Sequence, residues 1–298
     1  MIRPPHLQQG DTVGITCPAR KVSREEIQEA VTIFESWGLK VVLGKTVGMS
    51  YYQYGGKDAE RRADLQSMLN NPEVKAIISA RGGYGTVRIM DELDFTTFMN
   101  QPKWLAGFSD LTFLHGQLNC NLGVESLHTT MPLTIPKNTP DALESLRKAW
   151  FGESLHYEFP AHPLNRKGEM HGEVVGGNLS ILYSLLGTKT ILNTANCILF
   201  IEDLDEYLYH VDRMMMALKR AGKLSHIKGM IVGGLTEMKD NTVPFGKTAE
   251  EIVREHVEEY DFPLCFNFPA GHIDDNRALF LGREASVEIG EESCHFRQ

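Results

Sequence analysis

In residues 104–118, WLAGFSDLTFLHGQL, the apolar pattern changes period. Trp104-Leu105-Ala106 reads as the end of a buried strand. Leu111, Leu114 and Leu118 recur at helical spacing, so a helix is expected to begin just after Asp110. Ser109 then stands at a tight strand-to-helix corner, two residues after Gly107. Two explanations of such a serine compete. Ser and Asp are preferred helix N-caps, and a cap requires nothing further. A strand-to-helix corner can also present a hydroxyl to a cleft with a backbone N–H beside it, as a nucleophile requires.

Outward from this corner the same alternation repeats. DTVGITCPA (11–19), LKVVLGK (39–45), KAIISA (75–80), KWLAGF (103–108) and GVESLHT (123–129) read as strands. Between them lie helical patterns. Ser23 and Glu26 form a capping box ahead of Ile27, Val31 and Phe34, and KDAERRADLQSMLNN (57–71) is a helix stopped by Asn-Asn-Pro. A short helix is expected from Thr86. Strands alternating with helices imply a parallel sheet covered on both faces. TPDALESLRKAWFG (139–152) reads as a helix capped by Thr139 with proline in first position, and YEFPAHPLNRKGEMHGE (157–173) as a linker. The domain boundary is therefore expected near residue 160, giving domains 1–160 and 161–298. The second half has strands at GEVVGGN, CILFIED and HIKGMIVGGLTEM, helices at 206–222 and 248–260, and a strand-like tail over 263–290, which implies a smaller, β-rich mixed domain.

Composition narrows the function classes. The 298 residues are 42% hydrophobic and 23% charged, as in a soluble globular protein. The net charge of −9, with no Lys/Arg run, argues against a nucleic-acid footprint and against attraction to an anionic membrane. No stretch reaches transmembrane length and the N-terminus lacks a signal-peptide pattern, so a cytoplasmic protein is expected. Five scattered cysteines fit reduced thiols, and no C-x-x-C or H-E-x-x-H suggests a metal site.

Three features stand at the ends of apolar strands, where the sites of open α/β sheets collect. RGGYG (81–85) can bring backbone N–H groups close to a ligand, but it lacks the third glycine of a dinucleotide fingerprint and the Lys-Ser/Thr of a P-loop. A tight βα turn explains it equally well. Ser109 matches only the first half of G-x-S-x-G, since no glycine follows two residues later. The Asp110 N–H and a Gly83 N–H could serve as oxyanion donors. A nucleophilic serine needs a base, and the base an orienting carboxylate. Of eleven histidines, His272 is distinctive, lying beside Gly271 in the polar loop FPAGHIDDNR (268–277), although solvated surface explains a loop histidine as well. In LFIEDLDE (199–206), Glu202 directly follows a buried apolar run and needs a partner there, either an imidazole or an arginine.

Taken together, ISARGGYG, GFSDLT, GGNL, FIEDLDEYLYHVDRMM and GH occur in an order and spacing that resemble the LD-carboxypeptidases, serine peptidases whose relatives include the microcin C immunity peptidases. The resemblance runs from DTVGITCPA to LFLGREASVEIG. It implies a flavodoxin-like N-terminal domain with nucleophile Ser109 and a smaller β-rich C-terminal domain with Glu202 and His272, completing a Ser-His-Glu triad. It also implies an oxyanion hole at the Gly83 and Asp110 N–H groups, no metal or cofactor, and in many members a homodimer. The implied substrate is a small muropeptide, a murein tetrapeptide losing its terminal D-alanine during cell-wall recycling. Two departures stand out. Phe108 replaces a frequent tyrosine before the serine, and the chain is too short for the long substrate-covering insertion of the immunity branch. The leaving residue's carboxylate needs a cationic or N–H-rich pocket, for which the helix start at Asn178, after Gly176-Gly177, is one candidate. The alternatives are an amidase clearing aminoacyl nucleotides, as in the immunity branch, and a non-enzymatic ligand-binding module.

Overall fold

The computed structural model describes residues 1–298. The N-terminal half lays down β1 (Thr12–Thr16), α1 (Gln28–Ser36), β2 (Lys40–Leu43), α2 (Asp58–Asn70), β3 (Val74–Ser79), α3 (Thr96–Asn100), β4 (Trp104–Gly107), α4 (Thr112–Gly116), β5 (Ser126–His128) and α5 (Pro140–Phe151). The other half contributes β6 (His156–Pro160), β7 (Gly168–Asn178), α6 (Leu179–Ser184), β8 (Ile198–Leu204), α7 (Leu208–Arg220), β9 (Gly229–Thr236), α8 (Ala249–His256), β10 (Leu264–Cys265), β11 (Leu279–Leu281), β12 (Glu284–Ile289) and β13 (Ser293–Arg297).

The first sheet has the order β11-β5-β4-β3-β1-β2. Its five N-terminal strands pair in parallel. This is the doubly wound order whose crevice opens where the winding reverses, between β1 and β3. The second sheet, β10-β9-β8-β7-β12-β13-β6, is mixed. Strands β7 to β10 are parallel, and β12, β13 and β6 are antiparallel. The architecture is thus α/β with a parallel-rich sheet and a mixed sheet.

Local chemistry explains the element ends. Ser23 and Glu26 exchange the reciprocal bonds of a capping box. Thr139 caps α5 with proline at its start, and Thr248 with Glu251 boxes α8. Each cap satisfies orphan N–H groups, a contribution of about 1 kcal/mol.

The segment read as a linker is instead largely strand. β6 has the burial alternation of a half-buried strand, with Tyr157 and Phe159 inward, and it pairs with β13. Residues 161–167 alone connect it to β7. The exchange is reciprocal, because β11 leaves the C-terminal half to pair antiparallel with β5. Phe280 of β11 packs against Trp104 with ring centroids 5.2 Å apart. One apolar core consequently runs from Ile15 and Trp104 through Phe200 to Phe268 and Phe296. A division of the chain at residue 160 crosses both exchanges.

Candidate active site

The carboxyl ends of β1, β3 and β4 face the carboxyl ends of β7 and β8 across a cleft of about 530 Å³. Ser109, Gly82, Gly83, Arg20 and Arg81 line one side, and Asn178, Asp203, Glu206 and His272 the other.

β4 is wholly buried and ends at Gly107, whose φ of 141° turns the chain sharply. Phe108 is extended and Ser109 has φ 62°. A non-glycine residue in the left-handed region costs on the order of 1–3 kcal/mol and persists only where its surroundings enforce it. The expected helix does begin here, as a tight turn over Ser109–Leu111 followed by α4. Its N-terminal flank makes no side-chain cap bond. A helix cap therefore does not account for Ser109, whose hydroxyl stands in the cleft.

Asp110 ties this corner to the glycine loop. Its buried carboxylate accepts the Thr86 N–H at 2.8 Å. Burial raises its pKa, while the Thr86 hydrogen bond works against that. A Cβ built on Gly82 would fall 2.8 Å from Ser109 Cβ and 2.9 Å from its Oγ, so only glycine lets the two loops touch. Neither the Gly83 N–H nor the Asp110 N–H donates in a turn or loop hydrogen bond. Thr86 opens a single tight turn, shorter than the helix expected there.

On the opposite side, the apolar run of β8 carries Glu202 to full burial. Glu202 Oε2 accepts His272 Nδ1 at 2.6 Å and the His272 backbone N–H at 3.2 Å. The partner of Glu202 is thus an imidazole, and it pairs with no arginine. Burial works against the charge on Glu202, but the adjacent His272 more than offsets it and the carboxyl pKa is lowered. Burial also works against the imidazolium, yet Glu202 raises the His272 pKa above its ordinary value. With Nδ1 engaged by the carboxylate, Nε2 is the nitrogen left to exchange protons. The structure joins Glu202 to His272 and brings His272 and Ser109 into one cleft, with no hydrogen bond between those two. The His272 ring lies 4.7 Å from the Phe108 ring.

Asn178 caps α6 by accepting the Ile181 N–H, and its Nδ2 donates to Asp203 at 2.9 Å. Asp203 also accepts the Ser180 and Leu204 N–H groups. Burial first, then the Glu202 charge, pushes Asp203 up to about 7 against those bonds. The Asn178 N–H donates to Thr112 Oγ1, which seats α4 on the end of β7.

Several site residues carried no signal in the sequence. His128 is buried beneath the pair between Phe108 and Phe200, and burial lowers it to about 3, so it is neutral. Arg61 of α2 is fully buried and donates to Pro18 O and Gly85 O, stitching the loop after β1 to the loop after β3. Arg20 and Arg81 gain meaning only from that juxtaposition. Arginines directly after two neighbouring strands at a winding reversal were the one available hint.

Comparison with known proteins agrees with this layout. Residues 13–129 match the LD-carboxypeptidase N-terminal domain, and residues 171–287 match the LD-carboxypeptidase C-terminal domain. The "Probable murein peptide carboxypeptidase" of Bacillus subtilis is 34% identical, over 98% of this chain and 93% of that one. The microcin C7 self-immunity protein MccF of Escherichia coli is 23% identical, over 95% of this chain and 92% of that one. The crystal structure of muramoyltetrapeptide carboxypeptidase from Oxalobacter formigenes shares the fold, with TM-score 0.87 and 24% identity over 96% of this chain and 98% of that one. No helix is long and apolar enough to cross a membrane. On the match of both halves, and on a relative 34% identical over nearly the whole chain, this protein belongs to the LD-carboxypeptidase family of peptidases.

Proposed function

We propose that the protein is a serine carboxypeptidase that releases the terminal D-alanine of a murein tetrapeptide, cutting after the L-centre of its third residue. The observation that carries the reading is the strained, uncapped Ser109 sharing a cleft with the Glu202–His272 pair. The similarity to a relative named for murein peptides supports the substrate class.

In this reading His272 Nε2 takes the Ser109 proton as Oγ attacks the scissile carbonyl. Glu202 holds the imidazole in the tautomer with its proton on Nδ1 and stabilises the imidazolium that forms. The oxyanion meets the Gly83 and Asp110 N–H groups, whose value lies in being aimed before charge develops. His272 then returns its proton to the departing D-alanine nitrogen. Water, deprotonated by His272, attacks the Ser109 ester; His272 then returns that proton to Ser109 Oγ as the C–O bond breaks, which frees the tripeptide and restores the hydroxyl. Glu202 is shut off from bulk solvent, so its charge acts on the imidazole with little screening.

The test is a substrate panel. Tetrapeptides with diaminopimelate or lysine in third position should release D-alanine, and an aminoacyl-sulfamoyl-adenosine should remain intact. Hydrolysis of the nucleotide with no action on either tetrapeptide would overturn the muropeptide reading in favour of the amidase.

A further inference from the structure

The two sides of the cleft differ in how their charges are satisfied. Every acidic group facing it has a partner within the chain. Asp203 accepts from Asn178, Ser180 and Leu204. Asp205 pairs with Lys239 at 2.5 Å and Glu206 with His210 at 2.5 Å. The two arginines on the serine side have none. Neither Arg20 nor Arg81 forms an ion pair, and the Arg81 guanidinium donates only to the Lys21 carbonyl at 3.3 Å. Two cations therefore converge on one cleft with no carboxylate in ion-pair contact with either. Burial, then the charge of Arg20, lowers the Arg81 pKa, a strain an arriving anion would relieve.

Their placement is built. Arg20 follows β1 and Arg81 follows β3, the strands on either side of the winding reversal. Arg61 holds both loops from beneath through Pro18 O and Gly85 O. Gly83 has φ 110°, and a Cβ there would fall 2.5 Å from Arg20 Cδ, so the arginine stem lies flat on the loop backbone. Ser109 lies on Gly82 in the same way. Successive Cα atoms are about 3.8 Å apart. Ser109 and the Arg20 stem thus rest on adjacent residues of one loop, so an unpaired arginine stands beside the serine on the side where a leaving residue's carboxylate would lie.

We infer that Arg20 and Arg81 form the clamp that holds the substrate's C-terminal carboxylate, and so restrict the enzyme to removing one terminal residue. This rests on the carboxypeptidase reading above. At the helix start at Asn178, the candidate suggested by the sequence, the Asn178, Ser180 and Ile181 N–H groups already donate to Thr112, Asp203 and the Asn178 side chain. A guanidinium–carboxylate contact is charge-assisted and can be bidentate, which suits a free carboxylate and discriminates against its amide.

The experiment uses full-length Ser109→Ala protein, which cannot turn over. Its affinity for the tetrapeptide and for the same peptide ending in D-alaninamide is measured by calorimetry, with and without Arg20→Gln and Arg81→Gln, each variant being checked by thermal melting. The acid should bind 10- to 100-fold more tightly than the amide, and the double variant should bind both equally. Equal binding by Ser109→Ala itself, no binding of either peptide, or discrimination that survives the double variant would each overturn the clamp. Wild-type turnover separates the two claims. Discrimination without D-alanine release leaves the clamp and removes the proposed reaction; release with discrimination untouched by the arginine changes does the reverse.

Discussion

The two rims of the cleft hold their chemistry by opposite means. The first-sheet rim is shaped by backbone: Ser109 at φ 62°, Gly83 at 110°, Gly107 at 141°, with unpaired arginines. The second-sheet rim is built from side chains, buried or half-buried and bonded in two adjacent pairs, Glu202 with His272 and Asp203 with Asn178. The difference teaches where each rim is vulnerable. A backbone-shaped rim fails when volume is added, whereas a network rim fails when a charge or a hydrogen bond is removed.

The network should give the largest effects. His272→Ala should lower kcat for D-alanine release by on the order of 10⁵-fold, and adding Glu202→Gln should cost little more, because residues acting as one unit are not additive. A double variant whose losses multiply would show that the pair does not act as a unit. Glu202→Gln alone should cost about 10⁴-fold through loss of the tautomer it enforces.

Gly82→Ala probes the opposite rim. Its Cβ would displace the Ser109 hydroxyl, and a misplacement near 1 Å costs roughly 10²-fold in kcat. The melting temperature should fall as well, since the new Cβ meets Ser109 Cβ, which cannot rotate away, and the two loops must separate. A fully active Gly82→Ala would mean that the serine position is not set by this contact.

The pH profile sharpens the comparison further. His272 must be neutral to accept a proton, so kcat/KM should fall as pH drops through its pKa. Burial works to lower that pKa, but Glu202 raises it, so the acid limb should lie above the ordinary imidazole value of 6.5. In Glu202→Gln the largest raising influence is gone and burial is opposed only by the charges of Asp203 and Glu237, so the limb of the residual activity should move to lower pH than in the wild type. An unmoved limb would detach the titration from the pair. The smallest effect is on stability. Ser109→Ala keeps its Cβ and the strained φ, so its unfolding free energy should lie within about 0.5 kcal/mol of wild type by denaturant titration.

The backbone-shaped rim was the more legible in the sequence. The change of period at Ser109, the RGGYG loop and the caps at Ser23 and Thr139 are local signals, and the elements formed where those signals stand. Glu202 and His272 could be singled out by position, but their mutual contact is a 70-residue separation that no local pattern encodes. The exchanged strands were illegible for a related reason. The prolines and charges around β6 masked the alternation of Tyr157 and Phe159, and β11 is three residues whose partner lies about 150 positions away. Arg61 and His128 look ordinary in sequence, because burial alone gives them their roles.

The central claim is that the two rims converge to make Ser109 a nucleophile. The most direct measurement is D-alanine release from L-Ala-γ-D-Glu-diaminopimelate-D-Ala by wild type and by Ser109→Ala at matched concentration and stability. The wild type should release D-alanine, and the variant should release none above the uncatalysed rate. Release at the wild-type rate by Ser109→Ala would contradict it.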